Sequence, residues 1–144
     1  MNIARWSVVG LALAAIGLAA VACGDDDEND DQTPEKEVQL TEADNGRNVA
    51  VAKDGAVIVA LVSNPSTGYS WAVVAPEPTN LELDGEPKFV PAGSTTPVLG
   101  APGTQVFTFK TTATGKSTLK MEYRRSFEPQ NPAEKTFEVT VEVR

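Results

Sequence analysis

The run Ala56-Val57-Ile58-Val59-Ala60-Leu61-Val62 most constrains what this chain can fold into. It is a near-continuous stretch of β-branched and small apolar residues, bounded by Asp54-Gly55 before it and Asn64-Pro65 after it. Such a run reads as a strand buried on both sides, or as a strand in a sandwich core. Its neighbours follow the same plan. Val38-Gln39-Leu40-Thr41 alternates as a strand does, and Asp44-Asn45-Gly46 signals a turn. Asn48 to Ala52 reads as a second short strand, which Lys53-Asp54-Gly55 is expected to end in a turn.

Beyond the run, Tyr69, Trp71 and Val73 share one face of a strand, with Ser70, Ala72 and Val74 on the other. Pro76, Pro78, Pro87 and Pro91 break the next region into short strands around Leu81-Glu82-Leu83 and Lys88-Phe89-Val90. Thr104 to Thr111, Ser117 to Tyr123 and Lys135 to Val143 alternate well, and Arg124 to Ala133 reads as a polar loop. No stretch holds a helical period. About seven or eight short strands with turns between them predict an all-β, immunoglobulin-like sandwich over residues 38–144. In that fold Trp71 is expected in the core; an exposed stacking surface is the alternative.

Charge and composition narrow the function. From Asp25 to Glu37 there are eight acids and one base, whereas the formal charge of the whole chain is −8. The acidity therefore sits mainly in one segment, a self-repelling, extended tether rather than a cation site. No basic stripe suggests nucleic acid. The chain has no histidine and a single cysteine, Cys23. This removes Ser-His and Cys-His nucleophile pairs and the commonest zinc ligand, so neither enzyme, metal nor cofactor is expected. Val8 to Ala22 is almost wholly apolar but shorter than the roughly 20 residues of a membrane-spanning helix. With Ala20-Val21-Ala22-Cys23-Gly24 it resembles a bacterial lipoprotein signal peptide. That likeness implies a signal over residues 1–22, a lipidated Cys23 heading the 23–37 tether, and an anchored, extracytoplasmic protein facing the periplasm or cell surface.

One stretch stands apart as a working surface. In Asn64-Pro65-Ser66-Thr67-Gly68-Tyr69, Pro65 fixes its own φ and biases Asn64 away from helix, while Gly68 permits positive φ. The result is a stiff, polar tip on an apolar base. Taken alone it could be no more than a well-made turn. With Trp71 following at the right distance, it resembles the Asn-Pro-Thr-Thr-Gly-Tyr/Phe-x-Trp pattern of chagasin-type cysteine-peptidase inhibitors, the I42 inhibitor family. Gly100-Ala101-Pro102-Gly103 is similar to that family's glycine-rich loop, and Tyr123-Arg124-Arg125-Ser126-Phe127 to its tyrosine followed by Arg-Pro-Trp/Phe. Ser66, Pro102 and Ser126 depart from those patterns.

The resemblance implies an inhibitor of papain-like cysteine peptidases, reversible and monomeric. The loop Asn64, Pro65, Ser66, Thr67, Gly68, Tyr69 would enter the active-site cleft. Gly100, Ala101, Pro102 and Gly103 on one side, and Arg125, Ser126 and Phe127 on the other, would grip its walls. The alternative is an immunoglobulin-like adhesion or binding module without inhibitory activity.

Overall fold

The structure, a computed structural model, describes residues 33–74, 77–93 and 100–144. The signal segment, Cys23 and most of the acidic tether lie outside the described residues. The strands are β1 (Glu35–Thr41), β2 (Asn48–Ser63), β3 (Tyr69–Val73), β4 (Leu81–Leu83), β5 (Lys88–Pro91), β6 (Gly103–Thr111), β7 (Gly115–Arg125) and β8 (Lys135–Val143). They form one curled sheet in the order β3-β7-β8-β2-β6-β4, with β1 beside β2 and β5 beside β6. β1 takes in Glu35, Lys36 and Glu37, so the end of the acidic segment is part of the sheet.

The curl comes from β2. The expected turn at Lys53-Asp54-Gly55 does not separate two strands; it is a bulge inside one long strand. Asp54 adopts φ 61, and the pairing of β1 with β2 slips there. An extra residue in a strand bends and twists it. Before the bend, Asn48 to Val51 pairs in parallel with Thr140 to Val143 of β8. After it, Ala56 to Ser63 pairs antiparallel with β6. The same strand thus serves both layers of the sandwich.

The polar groups freed by the bulge are met by one buried side chain. Thr111 Oγ1 accepts from Gly55 N at 2.8 Å and lies 3.0 Å from the Ala52 carbonyl, to which it donates. Gly55 is needed there because a Cβ would fall 2.5 Å from the Lys36 carbonyl oxygen and 2.7 Å from that of Ala52.

Alternation places Val57, Val59, Leu61, Phe107, Phe109, Leu119, Met121, Phe137, Val139 and Val141 inward, in one cluster with Trp71 and Tyr123. Each fully buried residue of this size contributes about 1.5–3 kcal/mol relative to exposure. Trp71 is 4% exposed, which makes it a core residue and removes the stacking-surface alternative. β7 continues to Arg125 rather than stopping at Tyr123, because Ser70 and Tyr69 pair with Arg124 and Arg125. Arg124 and Arg125 are therefore strand residues, and the polar loop begins at Ser126.

Candidate functional site: a three-loop end

Asn64 leaves β2 extended, with φ −132 and ψ 89, and Pro65 to Thr67 then make one turn of 3-10 helix. Pro65 opens the turn, where its missing N–H costs nothing. Gly68 closes it in the left-handed region at φ 79. Thr67 N donates to Asn64 O at 3.1 Å, and Gly68 N to Pro65 O at 3.0 Å. The two hydroxyls fasten the turn onto Asn64: Thr67 Oγ1 donates to its carbonyl at 2.7 Å and Ser66 Oγ to its Oδ1 at 2.6 Å. Serine at position 66 keeps the hydroxyl that this bond requires. Pro65, Ser66 and Thr67 are exposed; Asn64, Gly68 and Tyr69 are half-buried.

Tyr123 supports the turn from below. Its hydroxyl accepts from Asn64 N at 2.9 Å. Its ring stacks against Tyr69 at 5.3 Å and tilts against Trp71 at 5.2 Å between centroids. A hydrogen bond to Glu134, then partial loss of solvent, pushes the Tyr69 phenol above its ordinary 10.0.

Each flanking loop is tied to this tip. Asn64 Nδ2 donates to Gly100 O at 3.5 Å, a long bond, with Gly100 at φ 86. Gly100 and Pro102 are exposed and Ala101 is half-buried. Gly103 is different: it is buried at the start of β6, between Ser63 and Pro91 in the ladder. A side chain there would collide with the Val90 carbonyl and the Phe89 ring. Its part is to let β5 and β6 close beneath the loop, rather than to present a surface.

On the other flank, Arg125 Nε donates to Thr67 O at 3.3 Å. Its guanidinium lies 4.7 Å from the Tyr69 ring centroid and 5.9 Å from that of Phe127, within cation–π range. Glu128, 3.4 Å from Arg125 Nη1, holds the guanidinium from its far side. Ser126 is exposed, and Phe127 is 67% exposed with its ring against Gly68. A Cβ at position 68 would meet Phe127 Cε1 at 2.9 Å, so glycine serves both the turn and the packing. The residues of the three loops singled out from the sequence are thus at one end of the sandwich, with Gly103 beneath it, while Cys23 lies outside the described residues.

Sequence reasoning did not single out Tyr123 as the acceptor for Asn64, nor Glu134, nor Gln105. The last spans the gap between β6 and β3 by bonding both backbone groups of Trp71. The spacing of Tyr123 from Arg125 on an alternating strand could have indicated the first. Nothing local marks the other two.

Among the described residues the arrangement holds no nucleophile paired to a base; it presents a hydroxyl-rich tip, an exposed aromatic ring and one oriented cation. Comparison with known proteins agrees. Residues 50–141 match the family model for the Chagasin family peptidase inhibitor I42. The chain is 30% identical over 106 residues to Amoebiasin-1 of Entamoeba histolytica, covering 74% of this chain and 99% of that protein. It is 32% identical over 90 residues to Chagasin of Trypanosoma cruzi, covering 60% of this chain and 80% of that one. The crystal structure of the cysteine protease inhibitor EhICP2 from Entamoeba histolytica superposes with a TM-score of 0.65. At 22% identity over 75% of this chain and 96% of that one, that likeness speaks to the fold. The chain belongs to the chagasin family of peptidase inhibitors.

Proposed function

We propose that this protein inhibits papain-like cysteine peptidases reversibly, by inserting the 64–69 turn into the active-site cleft while the flanking loops rest on its walls. The observation that carries this reading is the anchoring of the tip: Asn64 N to the Tyr123 hydroxyl beneath it at 2.9 Å, and Thr67 O to Arg125 Nε on one flank at 3.3 Å. A plug of this kind must be ordered before it binds, since fixing each mobile side chain on binding costs about 0.5–1.5 kcal/mol. Here the turn's own bonds, the Tyr123 hydroxyl and the Arg125 flank do that ordering in advance. Phe127 supplies the exposed aromatic anchor and Arg125 a stacked, hydrogen-bonding cation. Membership of an inhibitor family supports this over an adhesion module.

The test is inhibition of papain by the full-length chain in detergent. Micromolar or tighter inhibition is expected, and none at that concentration would count against the reading. Thr67→Glu should abolish inhibition and, by losing the hydroxyl's bond to the Asn64 carbonyl, cost about 0.5–1.5 kcal/mol of stability, which leaves the chain folded. Equal inhibition by that variant would remove the 64–69 turn from the interface.

Residues 1–37 support a location. We infer that Cys23 carries lipid after removal of residues 1–22, and that the acidic segment spaces the domain from an extracytoplasmic membrane face. Labelling with radioactive palmitate should disappear in Cys23→Ser; retained label would refute the anchor. One chain is expected per peptidase, and light scattering of the mixture reads that ratio.

A further inference from the structure

Among the described residues, the two layers of the sandwich are joined by a backbone ladder at one end only. β2 and β8 pair over Asn48 to Val51, and β2 then turns away to β6. At the loop end, among the described residues, no strand ladder joins β3 or β7 to β2 or β6. The gap is bridged at Trp71. Its backbone N–H donates to Gln105 Oε1 at 3.0 Å, and Gln105 Nε2 donates to the Trp71 carbonyl at 3.3 Å. Its indole Nε1 donates to the Val62 carbonyl at 2.9 Å. The glutamine amide thus meets the free edge of β3 as a neighbouring strand would, with one donor and one acceptor on a planar fork.

Position gives this contact its reach. Gln105 follows Gly103, where the 100–103 loop enters β6, and Trp71 follows Tyr69, where the 64–69 turn enters β3. A bond between the two residues therefore sets the separation of the two loops. The direct tie between the tips, Asn64 to Gly100, is long at 3.5 Å and exposed, so it fixes that separation poorly. We propose that Gln105 is a positioning residue for inhibition: it touches no target, and it holds the 64–69 and 100–103 loops in binding register through Trp71. This rests on the inhibitory reading above and adds to it a residue outside all three loops.

Glutamine is required chemically. Methionine has similar length and no N–H donor. Glutamate keeps the acceptor for Trp71 N but turns a second oxygen on the Trp71 carbonyl. Losing the paired bonds should raise the papain inhibition constant about tenfold in Gln105→Met, and at least as much in Gln105→Glu. Val143→Ala, in the core at the opposite end, is the control for stability alone. It should lower the melting temperature at least as far as Gln105→Met does and leave the inhibition constant unchanged.

A second measurement does not depend on inhibition. In amide NMR spectra of the full-length chain, Gln105→Met should shift or broaden the signals of residues 64–69 and 100–103, and leave 48–55 in place. An unchanged inhibition constant, or unmoved loop signals, would overturn the proposal. If wild-type chain fails to inhibit papain, the inhibitory reading is what has failed, and the loop signals alone decide the role of Gln105.

Discussion

The two ends of this sandwich are closed by different chemistry. At the end away from the loops there is a backbone ladder, Asn48 to Val51 against Thr140 to Val143, extended by Lys53 N to Arg144 O at 2.8 Å and Arg144 N to Val51 O at 3.0 Å, with the buried Asn80 amide adding a bond to Gly115 O at 2.7 Å. At the loop end the joins are side-chain bonds, from Trp71 to Val62, Gln105 to Trp71 and Tyr123 to Asn64. A backbone ladder can form with almost any sequence. A side-chain join depends on the residue type at each position, so a mutation can retune it. The loop end is therefore the one whose geometry depends most on residue type, while the other end has a backbone ladder beneath its side-chain bonds.

Substitutions should separate the two ends. The largest effect is expected from Trp71→Ala, which removes a core ring together with the Nε1 bond to Val62. It should cost about 3–5 kcal/mol of stability by chemical denaturation, and inhibition should fall as well. A variant that lost stability but kept full inhibition would break the link between the Trp71 join and the loops. Next comes Phe127→Ala, expected to weaken papain binding by about 2 kcal/mol, the scale of an aromatic hot spot. Its melting temperature should hardly move, because the ring is 67% exposed. A large loss of stability with unchanged binding would reverse the assignment.

Thr111→Val probes the ladder end. It leaves the buried Gly55 N–H without its acceptor and should cost about 1–3 kcal/mol, with the inhibition constant of the folded fraction unchanged. The smallest effect concerns pH. Asp44 accepts from Thr41 N at 2.8 Å and faces Arg47 Nη1 at 2.6 Å. The Thr41 N–H above all, then Arg47, holds its carboxyl below the ordinary 3.8 despite some desolvation. A lowered value means that its stabilisation is whole above the unfolded value. It is lost as the pH falls below 3.8, through the folded one. Solvent screening limits it to a few tenths of a kcal/mol. Asp44→Asn should flatten that part of the stability curve, and an unchanged curve would contradict the assignment.

The strands were legible because alternation is a local signal. Lys135 to Val143 and Thr104 to Thr111 needed only their own residues to be read, and the three loops carried their turn chemistry on their faces. The bulge at Asp54 was not legible. Asp-Gly signals a change of direction, and only the pairing of β2 with two different partners shows that the chain bends there without reversing. Gln105 and Thr111 sit in alternating strands that look ordinary. What makes them special is an unpaired backbone group on a distant segment, Trp71 for one and Gly55 for the other. No window of sequence contains both halves of such a contact.

The bend in β2 also orders events in time. The β7–β8 hairpin joins neighbours, Tyr123 with Lys135, and can close early. The first half of β2 must wait for β8, Asn48 for Thr140. Closing so large a loop carries an entropy cost that grows with its length, and folds dominated by such distant pairing fold in milliseconds to seconds rather than microseconds. Until β8 is available, Val49 and Val51 have no partner strand on that side, and the nascent chain is an open sheet with its core exposed. The strand that closes the ladder is made after the seven others described.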